Sequence, residues 1–215
     1  MKVLLCAATE MEIAPAIQFL TSKEIHSVEV VVTGVGLMTS TYALTKAVAT
    51  HHPDLMIQAG IAGTLDTAMP LGEVVVVRNE TIGDLGVNET AGFQSLFDLK
   101  LLSANLSPWK DGRLANENEL LDKLNLHIVD GVTVNEISTN AQTIAYYKNQ
   151  LKSTIETMEG AALHYVGLME KIPFLQIRSL SNFIGERDKS KWEMKKAIIH
   201  LNKELQNLLT KYFTV

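Results

Sequence analysis

Hydrophobic and polar positions divide the chain into short apolar runs and longer amphipathic runs that follow each other in turn. The run "MKVLLCAAT" comes before the amphipathic run "EMEIAPAIQFLTSK", and "VEVVVTGVG" comes before "LMTSTYALTKAVATHH". Short apolar runs are typical of buried strands, whereas apolar positions three and four residues apart are typical of helices. The alternation therefore predicts an α/β fold.

Four later runs are also predicted to be strands. They are "DLMIQAGIAG", "GEVVVVRNETI", "HIVDGVTVNEIS" and "IPFLQIRSLSN". Because a run such as "EVVVVR" is apolar at nearly every position, we expect helices to cover both faces of the sheet that contains it. The pattern predicts a single domain, residues 1–215, with three α/β/α layers.

Two stretches in the C-terminal half are predicted to be helices, "TIETMEGAALHYVGLMEK" and "KSKWEMKKAIIHLNKELQNLLTKYF". Their apolar positions recur at helical spacing and should face the core. These positions are Ala162, Leu163, Val166 and Met169 in the first stretch, and Ile198, Leu201, Leu205, Leu208 and Leu209 in the second. Residues 83–125 lack such a period and contain Pro108 and Gly112. We expect this segment to be a long excursion with partial helix that shapes a pocket or an interface.

Composition and charge exclude several classes of protein. The net charge is −5 and no Lys/Arg cluster occurs, so the positive field that nucleic acid requires is missing. No apolar run approaches the roughly 20 residues that cross a bilayer, and the N-terminus does not read as a signal peptide. Cys6 is the lone cysteine, so a disulfide within the chain is excluded. We therefore expect a cytoplasmic protein that binds neither nucleic acid nor membranes.

The glycine pairs in "TGVG" and "AGIAG" do not complete a nucleotide-binding motif. Thr39 stands where the third glycine of GxGxxG would follow Gly34 and Gly36, and no GxxxxGK[ST] sequence occurs. The histidines lack metal-ligand spacing, and no GxSxG nucleophile motif is present. We expect no metal and no cofactor. The glycine pairs are either ordinary tight turns or places where the backbone approaches a small ligand closely.

Carboxylate and amide side chains gather where predicted strands end. Glu10 and Glu12 follow the first strand, Glu159 lies at the start of a predicted helix, and "RSLSN" ends the last strand. Ligands of α/β sheets bind at the carboxyl ends of strands, so these side chains are candidates for a binding site. Each acid taken singly has a second explanation, because a negative charge stabilises a helix N-terminus by roughly 0.3–1 kcal/mol.

The order of these motifs resembles the nucleoside phosphorylase and nucleosidase family over nearly the whole chain. The matching segments are "ATEMEI", "TGVG", "QAGIAG", "LGEVVVV", "TMEGAA" and "PFLQIRSLSN". The resemblance implies a fold with a central mixed sheet, and a homodimer or higher homo-oligomer. Relative to the methylthioadenosine/S-adenosylhomocysteine nucleosidases, Asn182 stands in place of an aspartate and Thr139 in place of a base-stacking phenylalanine.

Within the family, the segments "GDLGVNE", "TMEGAALHYV" and "RSLSNFIGERDKSKW" are most similar to the futalosine hydrolases. This resemblance implies hydrolysis of the N-ribosidic bond of futalosine, a purine nucleoside, to hypoxanthine and dehypoxanthine futalosine in menaquinone biosynthesis. It implies that Glu12 activates water and that Glu159 binds ribose hydroxyls. The candidate catalytic residues are Glu12 and Asn182, and the candidate substrate-binding residues are Gly36, Ala62, Gly63, Met158, Glu159, Ser181 and Arg187.

Residue chemistry separates the possible substrates and reactions only in part. The Asn182 amide has an NH₂ donor for the O6 and N7 acceptors of hypoxanthine, whereas an ionised aspartate only accepts. The doubly acidic segment "TEMEI" would repel phosphate, which favours a hydrolase over a phosphorylase. Arg187 and Lys189 are candidates to meet the aromatic carboxylate of futalosine, or they are solvated surface charges. The alternatives are a methylthioadenosine-type or inosine nucleosidase, and a non-catalytic nucleoside-binding domain.

Overall fold

The structure is a computed structural model that describes residues 1–90 and 92–213. Its strands are β1 (Val3–Ala7), β2 (Val28–Val32), β3 (Leu55–Thr64), β4 (Val74–Ile82), β5 (Gly86–Glu89), β6 (Gly92–Ser95), β7 (Leu114–Ala115), β8 (His127–Thr133), β9 (Ile155–Thr157) and β10 (Phe174–Phe183). Its helices are α1 (Glu10–Ser22), α2 (Leu37–His51), α3 (Leu120–Lys123), α4 (Ala141–Asn149), α5 (Gly160–Glu170) and α6 (Met194–Phe213). Among the described residues, no helix is both long and apolar enough to cross a membrane.

One mixed sheet contains all strands except β5 and β6, which pair with each other in a hairpin. Strand β3 is its hub, because β3 is parallel to β1 and β10 and antiparallel to β9. Strand β10 continues antiparallel to β4, which is parallel to β8, and β8 is parallel to β9. These pairings close a ring of five strands, and β9 and β10 flank the carboxyl end of β3.

Helices cover both faces of the sheet. On one face, the apolar stripe of α6 packs with α1 over β1 and β3, and its buried members are Leu201, Leu205, Leu208 and Leu209. On the other face, α2 and α5 form a second cluster that buries Leu44, Val48, Ala162, Leu163 and Val166. The predicted α/β/α layers around a mixed sheet are confirmed.

One predicted helix begins later than expected. Residues 155–157, predicted as the first turn of a helix, form strand β9, because they find strand partners in both β3 and β8. Helix α5 therefore begins at Gly160 and leaves Glu159 at its N-cap. Met169, predicted to face the core, is 50% exposed.

The segment 83–125 contains little helix. In its described part, the hairpin of β5 and β6 is followed by turns, the short strand β7 and one helical turn, α3. Helix α4 was not predicted either. Hydrophobic periodicity does not reveal it, because Tyr147 is its one buried residue. The β5–β6 hairpin and α4 line the same cavity.

Candidate active site

Strand β3 contacts both candidate acids, Glu12 and Glu159. The Ile61 N–H donates to Oε1 of Glu12 at 3.0 Å. Three residues earlier, Nε2 of Gln58 donates to the backbone carbonyl of Glu159 at 3.3 Å. Helices α1 and α5 pack on opposite faces of the sheet, so β3 is the element that links their N-terminal ends. The two acids are far apart in the chain, yet the same strand bonds to the carboxylate of Glu12 and to the backbone of Glu159.

Glu12 is buried at the third position of α1, in a capping box. Its Oε2 accepts hydrogen bonds from the N–H of Thr9 at 3.0 Å and from the Thr9 hydroxyl at 2.8 Å. Its Oε1 accepts from Ile61, so each oxygen has a fixed direction. A carboxylate has about four lone-pair sites, so acceptor capacity remains for a further partner. A fixed carboxylate with spare capacity suits a general base acting on water.

Glu159 stands at the N-cap of α5 and extends to the start of another helix. The N–H of Gly36, the N-cap of α2, donates to its Oε1 at 2.9 Å. The N-termini of α2 and α5 both favour a negative charge at this place. Gly36 has φ of 95°, and a Cβ built there would meet no atom within 4 Å, so open space lies beside the glycine that binds the carboxylate. Met158, the preceding residue, is half-buried.

Ser181 and Asn182 lie at the end of β10, beside β3. The Ser181 hydroxyl contacts the Ala62 carbonyl at 3.2 Å and Oδ1 of Asn182 at 2.8 Å. The Asn182 NH₂ group donates to the carbonyl of Phe183 at 3.2 Å. A Cβ on Gly63 would approach this NH₂ nitrogen to 3.3 Å, so glycine leaves room for the amide. One hydrogen of the NH₂ group remains available to a ligand.

Arg187 lies outside this cluster, on the loop between β10 and α6. The loop returns to the end of β10, because the N–H of Glu193 donates to the Ser181 carbonyl at 2.8 Å. Trp192 is fixed by a 3.1 Å hydrogen bond from its Nε1 to the Glu186 carbonyl. The exposed Arg187 guanidinium lies 5.5 Å from the centroid of the Trp192 ring. Trp192 was not among the candidate residues. It could have been found from the sequence, because it is an aromatic residue in an otherwise charged loop.

A buried acid that sequence analysis missed lies under the start of α5. Glu80 accepts hydrogen bonds from Gln176 Nε2 at 2.8 Å and from the Thr133 hydroxyl at 2.9 Å. Burial raises the pKa of Glu80 from its ordinary value of 4.5 to about 7, although these two hydrogen bonds oppose the rise. The Thr133 oxygen also accepts from the Ala161 N–H at 2.8 Å, which ties the acid to α5. The position of Glu80 in the strand sequence "VVVVRNETI" could have indicated a buried acid.

Arg178 connects this buried layer to Glu12. Its side chain is 1% exposed, and its Nη2 donates to Oε1 of Gln58. A Cβ on Gly60 would collide with Arg178 Nη1 and approach Oε1 of Glu12 to 2.9 Å. The glycine therefore allows the guanidinium and the Glu12 carboxylate to occupy the same side of β3. The positive charge of Arg178 also acts on Glu80, whose pKa it lowers against the effect of burial.

A cavity of about 960 Å³ lies between the β5–β6 hairpin and α4. It does not include the candidate residues at the ends of β3, β10 and α5. Its lining contains three carboxylates and three aromatic rings, and none of the described lining residues is Lys, Arg or His. Its carboxylates belong to Asp84, Glu89 and Glu136, and its rings to Phe93, Tyr146 and Tyr147. Thr139 lies in this lining.

The structure brings most of the candidate residues to one end of β3. Around it lie Glu12, Gly36, Ala62, Gly63, Glu159, Ser181 and Asn182. Met158 is next to Glu159 in the chain. Arg187 is farther away, and its loop is connected to this group by the hydrogen bond from Glu193 to Ser181. The roles of these residues stay predictions.

The model of the phosphorylase superfamily matches residues 5–214 of the chain. Among curated relatives, a futalosine hydrolase of Thermus thermophilus is 29% identical over 82% of this chain and 79% of its own length. A 5'-methylthioadenosine/S-adenosylhomocysteine nucleosidase of Shewanella loihica is 26% identical over 85% of this chain and 86% of its own. A solved 5'-methylthioadenosine/S-adenosylhomocysteine nucleosidase of Helicobacter pylori shares the fold, with a TM-score of 0.80, 15% identity and 98% of both chains covered.

Proposed function

The chain belongs to the phosphorylase superfamily, and from this premise we propose that it hydrolyses the N-ribosidic bond of a purine nucleoside, futalosine. The products are hypoxanthine and dehypoxanthine futalosine, which makes the reaction a step of menaquinone biosynthesis. The similarity to the futalosine hydrolase of Thermus thermophilus supports this choice of substrate.

The proposal rests on one observation. Glu12 and Glu159, whose carboxylates have different partners, lie at the N-terminal ends of two helices that both bond to β3. Glu12 is fixed by Thr9 and Ile61 and keeps acceptor capacity for a water molecule. Glu159 is held by Gly36 next to open space, where two adjacent ribose hydroxyls can donate to it. Cleavage of a nucleoside requires both of these functions at a single sugar.

The reaction balances with these residues and water. Water attacks the anomeric carbon as the bond to the base nitrogen breaks, and the electron pair of that bond leaves with the base. Glu12 accepts the proton of the water, a role that contributes about 10²–10⁴-fold to the rate. The negative charge of Glu159 stabilises the cationic sugar of the transition state. The departing base takes its proton from solvent, because an asparagine side chain is not an acid.

The base is hypoxanthine in this proposal because Asn182 offers an NH₂ donor. Its carbonyl oxygen is within hydrogen-bond distance of the Ser181 hydroxyl, and its nitrogen lies next to Gly63. A donor at this place complements the O6 and N7 acceptors of a 6-oxopurine.

The carboxylate tail of futalosine is assigned to Arg187 and Trp192. The guanidinium above the indole ring combines a positive charge with an aromatic surface, which suits an aromatic acid. The cavity beside α4 is a poor alternative for this tail, because its three carboxylates would repel it.

Water rather than phosphate is the proposed nucleophile. Arg78 and Arg113 form ion pairs elsewhere, with Asp122 at 2.6 Å and with Asp130 at 2.8 Å. Arg178 is the arginine next to Glu12, and it is engaged by Gln58. A phosphate there would meet the Glu12 carboxylate with one guanidinium to offset the repulsion.

A methylthioadenosine-type nucleosidase is the second candidate. The relative of Shewanella loihica supports it, since it matches a larger share of this chain than the futalosine hydrolase does. This candidate has an adenine base, which presents an amino donor where hypoxanthine presents O6. Asn182 can hydrogen-bond adenine, but unlike an aspartic acid it cannot transfer a proton to N7 as that base leaves.

We further propose a cytoplasmic homodimer that uses the surface of α2 and α5. Met38 and Tyr42 on α2 are 82% and 71% exposed, and Tyr165 and Met169 on α5 are 38% and 50% exposed. Apolar patches of this kind mark interfaces, and this one begins two residues after Gly36. Light scattering is expected to give twice the mass of the chain, and a monomer mass for Met38→Glu; a monomeric wild type contradicts the proposal.

The test is release of free base, followed by chromatography. Purified protein is incubated with futalosine, inosine and methylthioadenosine in separate reactions without phosphate. We expect hypoxanthine from futalosine, little from inosine and no adenine from methylthioadenosine. Glu12→Gln is expected to lower the rate on futalosine at least about 100-fold, because the general base is lost.

Two other outcomes contradict parts of the proposal. Adenine from methylthioadenosine with no reaction on futalosine overturns the substrate and favours the second candidate. If the rate rises with added phosphate and the sugar product carries a phosphate on its anomeric carbon, phosphate is the nucleophile and the proposal of water is wrong. No reaction with any of the three nucleosides favours a non-catalytic binding domain.

A further inference from the structure

The helix that carries Glu12 contains a proline. Pro15 lies in the sixth position of α1, three residues after Glu12. Proline has no backbone N–H, so the carbonyl of Met11 lacks its usual partner four residues along. The first turn of α1 is therefore held less firmly by its own backbone than a regular helix is. Its Glu12 nevertheless has to keep a fixed position if it is to act on water.

A side chain from α6 bonds to α1 at the residues next to Met11 and Pro15, namely Glu12 and Ala16. Nδ2 of Asn202 donates to the backbone carbonyl of Glu12 at 2.7 Å, and Oδ1 of Asn202 accepts from the N–H of Ala16 at 3.0 Å. The two backbone groups belong to residues four positions apart, the pair that one helical hydrogen bond connects. Asn202 is 2% exposed, and its Nδ2 also donates to the carbonyl of Ile198 at 2.8 Å. The amide is thus fixed in its own helix and in α1.

The second contact from α6 is weaker and lies further along. Nε2 of Gln206 reaches the Pro15 carbonyl at 3.5 Å, and Gln206 is half-buried. The Asn202 contacts are shorter and buried, so they are the stronger hydrogen bonds between α6 and α1, in addition to the apolar packing of the two helices. They act on the backbone of Glu12 itself, whereas Thr9 and Ile61 act on its carboxylate.

We propose that Asn202 is a positioning residue for Glu12, which it holds in place through the backbone of α1. The inference depends on the proposed role of Glu12 as general base. Asn202 touches neither the water nor the nucleoside, and acts only by fixing where the Glu12 backbone lies. Loss of the amide should therefore slow the chemical step and leave nucleoside binding nearly unchanged.

The test compares Asn202→Ala with a matched control, Asn116→Ala. Asn116 is also 2% exposed and also bonds a backbone carbonyl of a distant element, that of Phe174 at 2.8 Å. Phe174 begins β10, at the end of the strand opposite Asn182. We expect kcat on futalosine to fall about 10- to 100-fold for Asn202→Ala with KM within about threefold. Asn116→Ala should lower the melting temperature similarly and keep the wild-type kcat.

A second variant and a second measurement test the inference even if Asn202→Ala folds poorly. Asn202→Ser keeps a hydroxyl in place of the amide and should lose less kcat than Asn202→Ala. Hydrogen exchange of the Ala16 amide should be faster in both Asn202 variants and unchanged in Asn116→Ala, whatever the substrate of the protein is.

The outcomes separate this inference from the proposed function. A kcat within twofold of wild type for both Asn202 variants overturns the inference, provided that Glu12→Gln is inactive. An equal loss of kcat in Asn116→Ala also overturns it, because general destabilisation then explains the effect. Full activity of Glu12→Gln overturns the proposed role of Glu12 and the inference together.

Discussion

Individual side chains at the site have two tasks, one for the fold and one for the proposed chemistry. Glu12 completes a capping box with Thr9 and also accepts from Ile61 on β3. Glu159 lies at the N-termini of α2 and α5 and bonds to Gly36, which borders open space. The sequence left helix stabilisation and ligand binding as competing explanations for these acids. The contacts make the two explanations compatible, because a carboxylate has enough lone pairs for both.

Asn182→Asp tests the assignment of the base. The substitution replaces the NH₂ donor by an acceptor, so a 6-oxopurine loses a hydrogen bond and meets a repulsive oxygen. A buried polar group left unpaired costs about 1–3 kcal/mol, so kcat/KM on futalosine should fall about 10- to 100-fold. Activity on methylthioadenosine relative to futalosine should rise. Asn125→Asp, on an exposed loop position, adds the same charge as a control; unchanged base preference in Asn182→Asp contradicts the assignment.

Secondary-structure elements were predictable where one period dominates a long run. Strands β1 to β4, helices α1 and α2 and the stripe of α6 follow from hydrophobic periodicity alone. Strand β9 was mistaken for helix because three residues are too few to show a period, and its state depends on pairing with β3 and β8. Helix α4 was missed because it buries a single residue. The loop after β10 reads as surface in sequence, yet backbone bonding returns it to Ser181.

Arg187→Ala tests the role of that loop. Removing the guanidinium should raise KM for futalosine about tenfold, the effect of one charge-assisted hydrogen bond at a partly exposed place. The kcat on futalosine and the KM for inosine should stay unchanged, because inosine has no aromatic carboxylate.

Lys189→Ala is the matched control for Arg187→Ala, since Lys189 is an exposed cation of the same loop. A larger KM effect from Lys189→Ala would move the tail site to that residue. An equal rise in KM for inosine would mean that the loop acts on the nucleoside as a whole.

The closed ring of strands gives the whole molecule a buried polar layer beneath the site. Glu80 on β4 faces Thr133 on β8, Gln176 and Arg178 on β10, and the start of α5. Since the ring excludes water there, the acid keeps its proton to a higher pH than in the unfolded chain. The stability of the fold therefore depends on pH through the protonation of Glu80.

Glu80→Gln should remove part of the pH dependence of the free energy of unfolding. Because the folded-state pKa is about 7 and the ordinary value is 4.5, the folded protein binds more protons between these pH values. The free energy of unfolding should then fall as pH rises through this window, by about 3 kcal/mol at 1.36 kcal/mol per pKa unit. Glutamine mimics the protonated acid and removes this decrease.

Denaturant titrations at pH 5 and pH 7.5 measure the Glu80 effect. Wild type and Glu80→Gln should be similarly stable at the lower pH and diverge at the higher one. Glu29→Gln, an exposed position on β2, is the control and should parallel wild type. Parallel curves for Glu80→Gln as well would contradict the raised pKa.

Local patterns in the sequence were enough to establish the α/β class, the order of the main elements, the absence of common nucleotide-binding motifs and the resemblance that singled out Glu12, Glu159 and Asn182. These features depend on residues near each other in the chain, whose period and turn chemistry can be read directly. The closure of the strand ring, the burial of Glu80 and the attachment of Glu12 to Asn202 depend on contacts across the chain. Such contacts are chosen by the packing of the folded molecule as a whole, because a polar group finds its partner only where the fold brings one within reach.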